Sequence, residues 1–134
     1  MKIIVAADYE EMSYLVAARL AEQVRRKPNS VLGFATGETP VGMYRHLVAM
    51  ARREGLDFSR VVIFNLDEYY GLDPRHPASY HHFMHRPLLD HVNIAIGNVH
   101  IPNGMTSDVM TECQRRAALV VPARIGEVGN SFMK

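Results

Sequence analysis

Residues 61–66, VVIFNL, are apolar at every position except Asn65. A strand with one wet face alternates polar and apolar side chains, so an unbroken run predicts a strand covered on both faces. Strands of that kind belong to parallel sheets, whose neighbours are joined by crossovers that are usually helical. The chain supplies such connections. Residues 2–6 (KIIVA) and 31–35 (VLGFA) predict two further strands, and helical periodicity fills the intervals between the three. Strand, helix, strand, helix, strand is the pattern of an α/β fold with a parallel sheet and flanking helices.

The helical intervals carry their own start and stop signals. Asp8 stands three residues before Glu11, a capping-box spacing. Met12, Leu15, Val16, Leu20 and Val24 follow at steps of three and four and predict the buried face, with Arg19, Glu22 and Arg26 elsewhere. Pro28 and Asn29 end this helix. Pro40 suits the first turn of the next, whose Met43, Leu47 and Met50 are expected to face inward. A further helix is expected from Ala78, carrying Tyr80, Phe83, Met84, Leu88 and Leu89. VHIPNG then ends a short extended piece in a turn, and residues 106–118 predict another helix. Beyond Arg116 the pattern degrades, and Pro122 interrupts the apolar run. Residues 1–116 are therefore expected to form one domain portion and residues 117–134 a divergent tail without a clear helix or strand pattern.

Composition narrows the function classes. The chain has 134 residues, enough for one core, with 15 basic and 14 acidic side chains and a net charge of +1. No strong field points to nucleic acid or a membrane surface, so neither is expected as a partner. Cys113 is the single cysteine and has no internal disulfide partner. The N-terminal apolar run is too short for a signal segment or a span. A cytoplasmic protein is the expectation.

In a parallel sheet, ligands sit outside the carboxyl ends of the strands. Two loops occupy that edge here: FATGETP, residues 34–40, and the DEYYGL segment, residues 67–72. The first places Gly37 and the hydroxyls of Thr36 and Thr39 just before a helix start, a setting in which backbone N–H groups can cradle a phosphate. It is not a P-loop, since no Gly-Lys-Ser/Thr follows. Glu38 in its middle opposes an anion. The second loop offers Asp67 and Glu68 at a strand end. Adjacent side chains there alternate in direction, so at most one meets a given ligand. Asp67, partly shielded by Leu66 and Tyr69, is expected to have a raised pKa and to act as a general base. Five of the seven histidines fall between His76 and His91, and His81 with His85 has the spacing of a metal pair on a helix. A third ligand is not evident, and no metal is expected.

Four segments, VLGFATGETPVGMYRHLV, FNLDEYYGL, HPASYHHFMHRPLLDHVNI and HIPNG, together resemble the glucosamine-6-phosphate deaminase family. The likeness is collinear over residues 1–115. It implies a Rossmann-like α/β fold and conversion of glucosamine 6-phosphate and water to fructose 6-phosphate and ammonia, without metal or cofactor. It also implies that Asp67 is the proton-abstracting base and that Gly37, Glu38 and Thr39 contact the substrate phosphate. The implied partner is a small amino-sugar phosphate, and a homo-oligomer is compatible with it.

Two departures qualify the resemblance. The family usually has glycine or serine where this chain has Glu38. The expected outcome is an outward-turned Glu38 side chain whose backbone N–H still serves the anion. After TECQRR the family continues with a Gly-x-x-Gly-His-Ile-x-Phe-Asn-Glu-Pro segment that supplies the ring-opening histidine, and residues 117–134 do not match it. The expectation is a C-terminally truncated domain with an open sheet edge and little deaminase activity. Alternative readings are a non-catalytic sugar-phosphate-binding fragment and a 6-phosphogluconolactonase-like enzyme. The latter family typically continues Asp-Glu with Arg, where this chain has Tyr69.

Overall fold

A computed structural model describes residues 3–128, with side chains through residue 120. The elements follow in the order α1 (Tyr9–Arg26), β1 (Val31–Phe34), α2 (Val41–Glu54), β2 (Val62–Asn65), α3 (Tyr80–His85), β3 (Val99–His100) and α4 (Val109–Val128). The three strands form one parallel sheet in the order β1-β2-β3. Val31 pairs with Val62 and Phe34 with Asn65, while Ile63 pairs with Val99. The expected α/β fold, a parallel sheet with flanking helices, is what the chain adopts.

β2 behaves as its composition requires: Ile63, Phe64 and Asn65 are buried in succession. β1 alternates instead. Leu32 and Phe34 are buried, while Val31 is 43% exposed, so one face of this strand is uncovered. The strand expected over residues 2–6 differs as well. Residue 2 lies outside the described residues, and residues 3–6 pair with no described strand. Ile3, Ile4 and Val5 are exposed. β-branched composition expresses itself as a strand only where a neighbouring strand supplies the ladder.

α1 starts as predicted. The Asp8 carboxylate accepts from the Glu11 N–H at 2.8 Å, and the Glu11 carboxylate reaches back to the Ala7 N–H. Its buried face is rotated from the expected stripe. Ser13, Ala17, Ala21 and Val24 turn inward, whereas Met12 and Val16 are 37% and 44% exposed. Close packing on α2 explains the rotation: a Cβ on Gly42 would collide with the Ser13 hydroxyl. Only a face of small residues admits that approach, and the bulkier Met12, Val16 and Leu20 are displaced into a groove beside β1.

α2 buries Tyr44, Leu47, Val48 and Met50 and ends at Gly55, whose φ of +65° allows the left-handed turn back to the Met50 carbonyl. Phe58, Val61 and Ile63 continue the same core to Met84, Leu88 and Leu89. α3 is shorter than expected and stops at His85, because Pro87 cannot continue the ladder. Leu88 and Leu89 are buried by the turn that follows. α4 is longer than expected. It begins after Asp108, which accepts from the Thr111 N–H at 3.1 Å, and runs through position 116 and Pro122 to Val128. No described helix is long and apolar enough to cross a membrane.

Candidate active site

The pairing of Phe34 with Asn65 brings the carboxyl ends of β1 and β2 side by side, about 4.8 Å apart. Both candidate loops therefore leave the sheet at one edge. Asn65 reinforces the junction: its side-chain amide donates to the Phe34 carbonyl at 3.0 Å. Its Oδ1 is buried and meets no donor among the described residues.

In the first loop Gly37 has φ of +102°, a conformation that other residues rarely adopt. The loop is tied from behind by two tyrosines. The Tyr44 hydroxyl donates to the Ala35 carbonyl. Burial pushes this phenol well above its ordinary value, so it stays a donor across the working pH range. The Tyr9 hydroxyl bonds to the Glu38 and Thr39 carbonyls and to the Gly42 N–H. The N–H groups of Gly37, Glu38 and Thr39 have no acceptor among the described residues. The Glu38 side chain is solvent-exposed.

The second loop divides its two carboxylates. Glu68 turns to the start of α3, where it accepts from the N–H groups of Tyr80 at 3.0 Å and His81 at 3.1 Å and from the Ser79 hydroxyl at 2.9 Å. It also accepts from the Tyr69 N–H at 2.8 Å. Burial pushes the Glu68 carboxyl up, but these hydrogen bonds outweigh it and hold the group below its ordinary value. Asp67 has no hydrogen-bond partner among the described residues and lies beside a cavity of about 340 Å³ whose walls include Tyr70, Asn103, Gly104, Glu112 and Arg116. The shielding expected from Leu66 and Tyr69 is missing. Leu66 is 84% exposed and Tyr69 54%, because the chain has already left the sheet and no layer covers it.

The far wall comes from the HIPNG turn and α4, for which sequence reasoning predicted structure but no role at the site. Arg116, on α4, donates to the backbone carbonyls of Asn65 and His100, tying the ends of β2 and β3. Glu112 is hydrogen-bonded by the Arg115 guanidinium, which holds its carboxyl down to about 2. The HIPNG turn packs on the Asp67 loop through the Gly71 N–H, which donates to the Gly104 carbonyl at 2.7 Å. A polar residue on a terminal helix gives no local sign of such distant partners. The two histidines with metal-pair spacing are engaged separately: His81 Nε2 meets the Pro102 carbonyl at 3.2 Å, and His85 Nδ1 meets Asp90 at 2.7 Å. Among the described residues no group of three or more His, Cys, Asp or Glu is placed to hold a metal ion.

The Glu68 clamp yields a pH-dependent expectation. A carboxyl whose folded value is depressed adds stability above its unfolded value near 4.5, and this is lost as pH falls through the folded value. Glu68→Gln should therefore lower Tm at pH 7, and the gap from wild type should close on acidification. Thermal melts of both proteins from pH 7 to pH 3 check this. A gap that stays constant over that range would mean the charge is not what the clamp uses.

Comparison with known proteins places this geometry in context. The family described as glucosamine-6-phosphate isomerases/6-phosphogluconolactonase matches residues 6–131. A glucosamine-6-phosphate deaminase from Thermoanaerobacter sp. (strain X514) is 53% identical over 115 residues, covering 86% of this chain and 46% of that protein. Another, from Clostridium botulinum (strain Langeland / NCTC 10281 / Type F), is 51% identical over 114 residues, with 85% and 47% covered. A solved structure of a monomeric glucosamine-6-phosphate deaminase superposes with a TM-score of 0.86 at 37% identity, covering 96% of this chain and 52% of that one. A 6-phosphogluconolactonase from Thermotoga maritima shares the fold at 17% identity and a TM-score of 0.70. The chain spans about half the length of the curated relatives it matches.

Proposed function

The chain belongs to the glucosamine-6-phosphate isomerase/6-phosphogluconolactonase family, and from that premise we propose that its strand-end site serves glucosamine 6-phosphate deamination. Substrate and water become fructose 6-phosphate and ammonia. One observation carries the reading: N–H groups and a carboxylate that have no partner among the described residues leave neighbouring strand ends together. The first suits a phosphate and the second a carbon acid.

Gly37, Glu38 and Thr39 hold the phosphate through their backbone N–H groups. Asp67 acts on the opened sugar, whose C1 aldehyde acidifies the C2 proton. The Asp67 carboxylate takes that proton, the electron pair moves into a C1–C2 double bond, and the aldehyde oxygen becomes a hydroxyl. The hydroxyl proton comes from the substrate's own C2 ammonium group, return of the abstracted proton to C1 leaves an imine at C2, and water replaces nitrogen there, releasing ammonia. Anchoring the phosphate fixes C1 and C2 relative to the base, which is how binding energy far from the reacting carbons lowers the barrier. The free Cys113 and the charged metabolite are compatible with a cytoplasmic protein.

Calorimetric titration tests the reading. Glucosamine 6-phosphate should bind at least about tenfold more tightly than glucosamine, a difference of about 1.4 kcal/mol. Equal affinities would contradict a phosphate-holding loop.

Glu38 is the feature that should limit this affinity. Glu38→Gly removes one negative charge beside the anion and is expected to tighten sugar-phosphate binding several-fold at low salt, since ~1 kcal/mol is the scale of a screened surface charge. The gain should shrink at high salt. An unchanged affinity at low ionic strength would show that the exposed side chain does not act on the ligand.

A further inference from the structure

α2 begins without a capping side chain of its own. Pro40 occupies its N-cap position and makes no side-chain hydrogen bond, so the N–H groups of the first turn gain no acceptor from a capping side chain. One of them is satisfied from another helix. The Tyr9 hydroxyl, at the start of α1, accepts from the Gly42 N–H at 2.9 Å. The same hydroxyl lies 3.1 Å from the Glu38 carbonyl and 3.0 Å from the Thr39 carbonyl, and its single proton is shared between them.

We propose that Tyr9 is a positioning residue for the anion-binding loop, an inference that rests on the phosphate-holding role given above to Gly37, Glu38 and Thr39. In a trans peptide the carbonyl and the following N–H point in opposite directions. A Glu38 carbonyl turned toward Tyr9 therefore turns the Thr39 N–H away from α1. The Val41 N–H also donates to the Glu38 carbonyl, at 3.2 Å, so this peptide plane is fixed from two sides. Tyr44 acts in the same way at the loop's beginning, where its bond to the Ala35 carbonyl sets the Thr36 N–H. Two hydroxyls from two helices thus set the directions of the Thr36 and Thr39 N–H groups, one at each end of the loop, before any ligand arrives. Donors already oriented lose less freedom on binding, which favours affinity.

The reach of Tyr9 depends on Gly42. A Cβ there would collide with the Ser13 hydroxyl and stand 3.0 Å from Tyr9 Cε1, pushing α1 and its hydroxyl off the helix start. The small residues that turn α1 inward and the glycine that opens α2 therefore serve one contact. Unlike Tyr44, which is fully buried, Tyr9 is 44% exposed, so its hydroxyl can be removed with little loss of core packing.

Tyr9→Phe keeps the ring and deletes the hydroxyl. Affinities of the 134-residue chain for glucosamine 6-phosphate and for glucosamine, measured by titration calorimetry, give a ratio that reports the phosphate contribution. In Tyr9→Phe this ratio should fall about tenfold, through weaker binding of the phosphorylated sugar alone, with Tm within a few degrees of wild type. A general loosening of the fold would weaken both ligands and leave the ratio unmoved. A wild-type ratio well above one that survives in Tyr9→Phe overturns the positioning role and leaves the loop reading intact. A wild-type ratio near one overturns both. Hydrogen exchange at the Gly42 amide decides the matter even if the variant folds poorly. Protection in the wild-type protein supports the contact, and free exchange there overturns it.

Discussion

Asp67→Asn is expected to abolish proton exchange at the sugar carbons, lowering it by at least ~100-fold. The assay starts from fructose 6-phosphate in deuterium oxide, because its open keto form arises without help and places an acidic proton on C1. Asp67 should lift that proton, exchange it with solvent and return a deuteron, which mass spectrometry or proton NMR reads at C1. Asparagine keeps the shape of the side chain and removes its basicity. The other carboxylates among the described residues of this wall, Glu68 and Glu112, are already engaged. Glu68 is engaged by three donors at the start of α3 and by the Tyr69 N–H, and the Arg115 guanidinium holds Glu112 as an ion-paired anion. Near-normal exchange in Asp67→Asn would assign the base elsewhere.

Gly104→Ala should produce the largest structural effect of a single methyl group. A Cβ at this position would press into the Tyr69 carbonyl oxygen and stand 3.1 Å from the Leu72 carbonyl and 3.2 Å from Glu68 Cγ. Two of these neighbours are backbone, which cannot rotate aside, so the HIPNG turn must separate from the Asp67 loop. Overpacking of this kind costs about 1–3 kcal/mol. Tm should fall by several degrees, and deuterium exchange should fall with it, since the cavity wall and the loop carrying Asp67 move apart. The bond from the Gly71 N–H to the Gly104 carbonyl is the contact most directly lost. A variant with unchanged Tm and exchange would show that the two loops are not braced against each other.

The parts of the fold that depend on local pattern were legible in the sequence. VVIFNL is a buried strand, VLGF its parallel neighbour, and the Asp8–Glu11 box opens α1. The placement of the two candidate loops at one sheet edge followed from these alone. What was missed depends on distant neighbours. Residues 3–6 have the composition of a strand but pair with no described strand. Periodicity identified an apolar stripe on α1, yet the small Ser13–Ala17–Ala21 face is buried instead, because Gly42 brings α2 too close for larger side chains. Pro87 ended α3 sooner than its apolar spacing suggested. At the site, Asp67 and the Gly37 loop lie on short motifs that a reader can find. Tyr9 and Arg116 do not, since each acts on backbone groups dozens of residues away. Glu68 was visible only as half of an acidic pair, and its partners at residues 79–81 became evident from the geometry.

The central claim is that one ligand spans the two loops at the carboxyl edge of β1 and β2. Amide chemical-shift mapping tests it most directly: isotope-labelled protein is titrated with glucosamine 6-phosphate, and every backbone N–H is followed together. The account predicts that the amides of Gly37, Glu38 and Thr39 and those around Asp67 shift along a single saturation curve, while the groove between α2 and α3 near Arg45 and Arg86 stays unmoved. Shifts confined to that groove, or to one loop without the other, would contradict it.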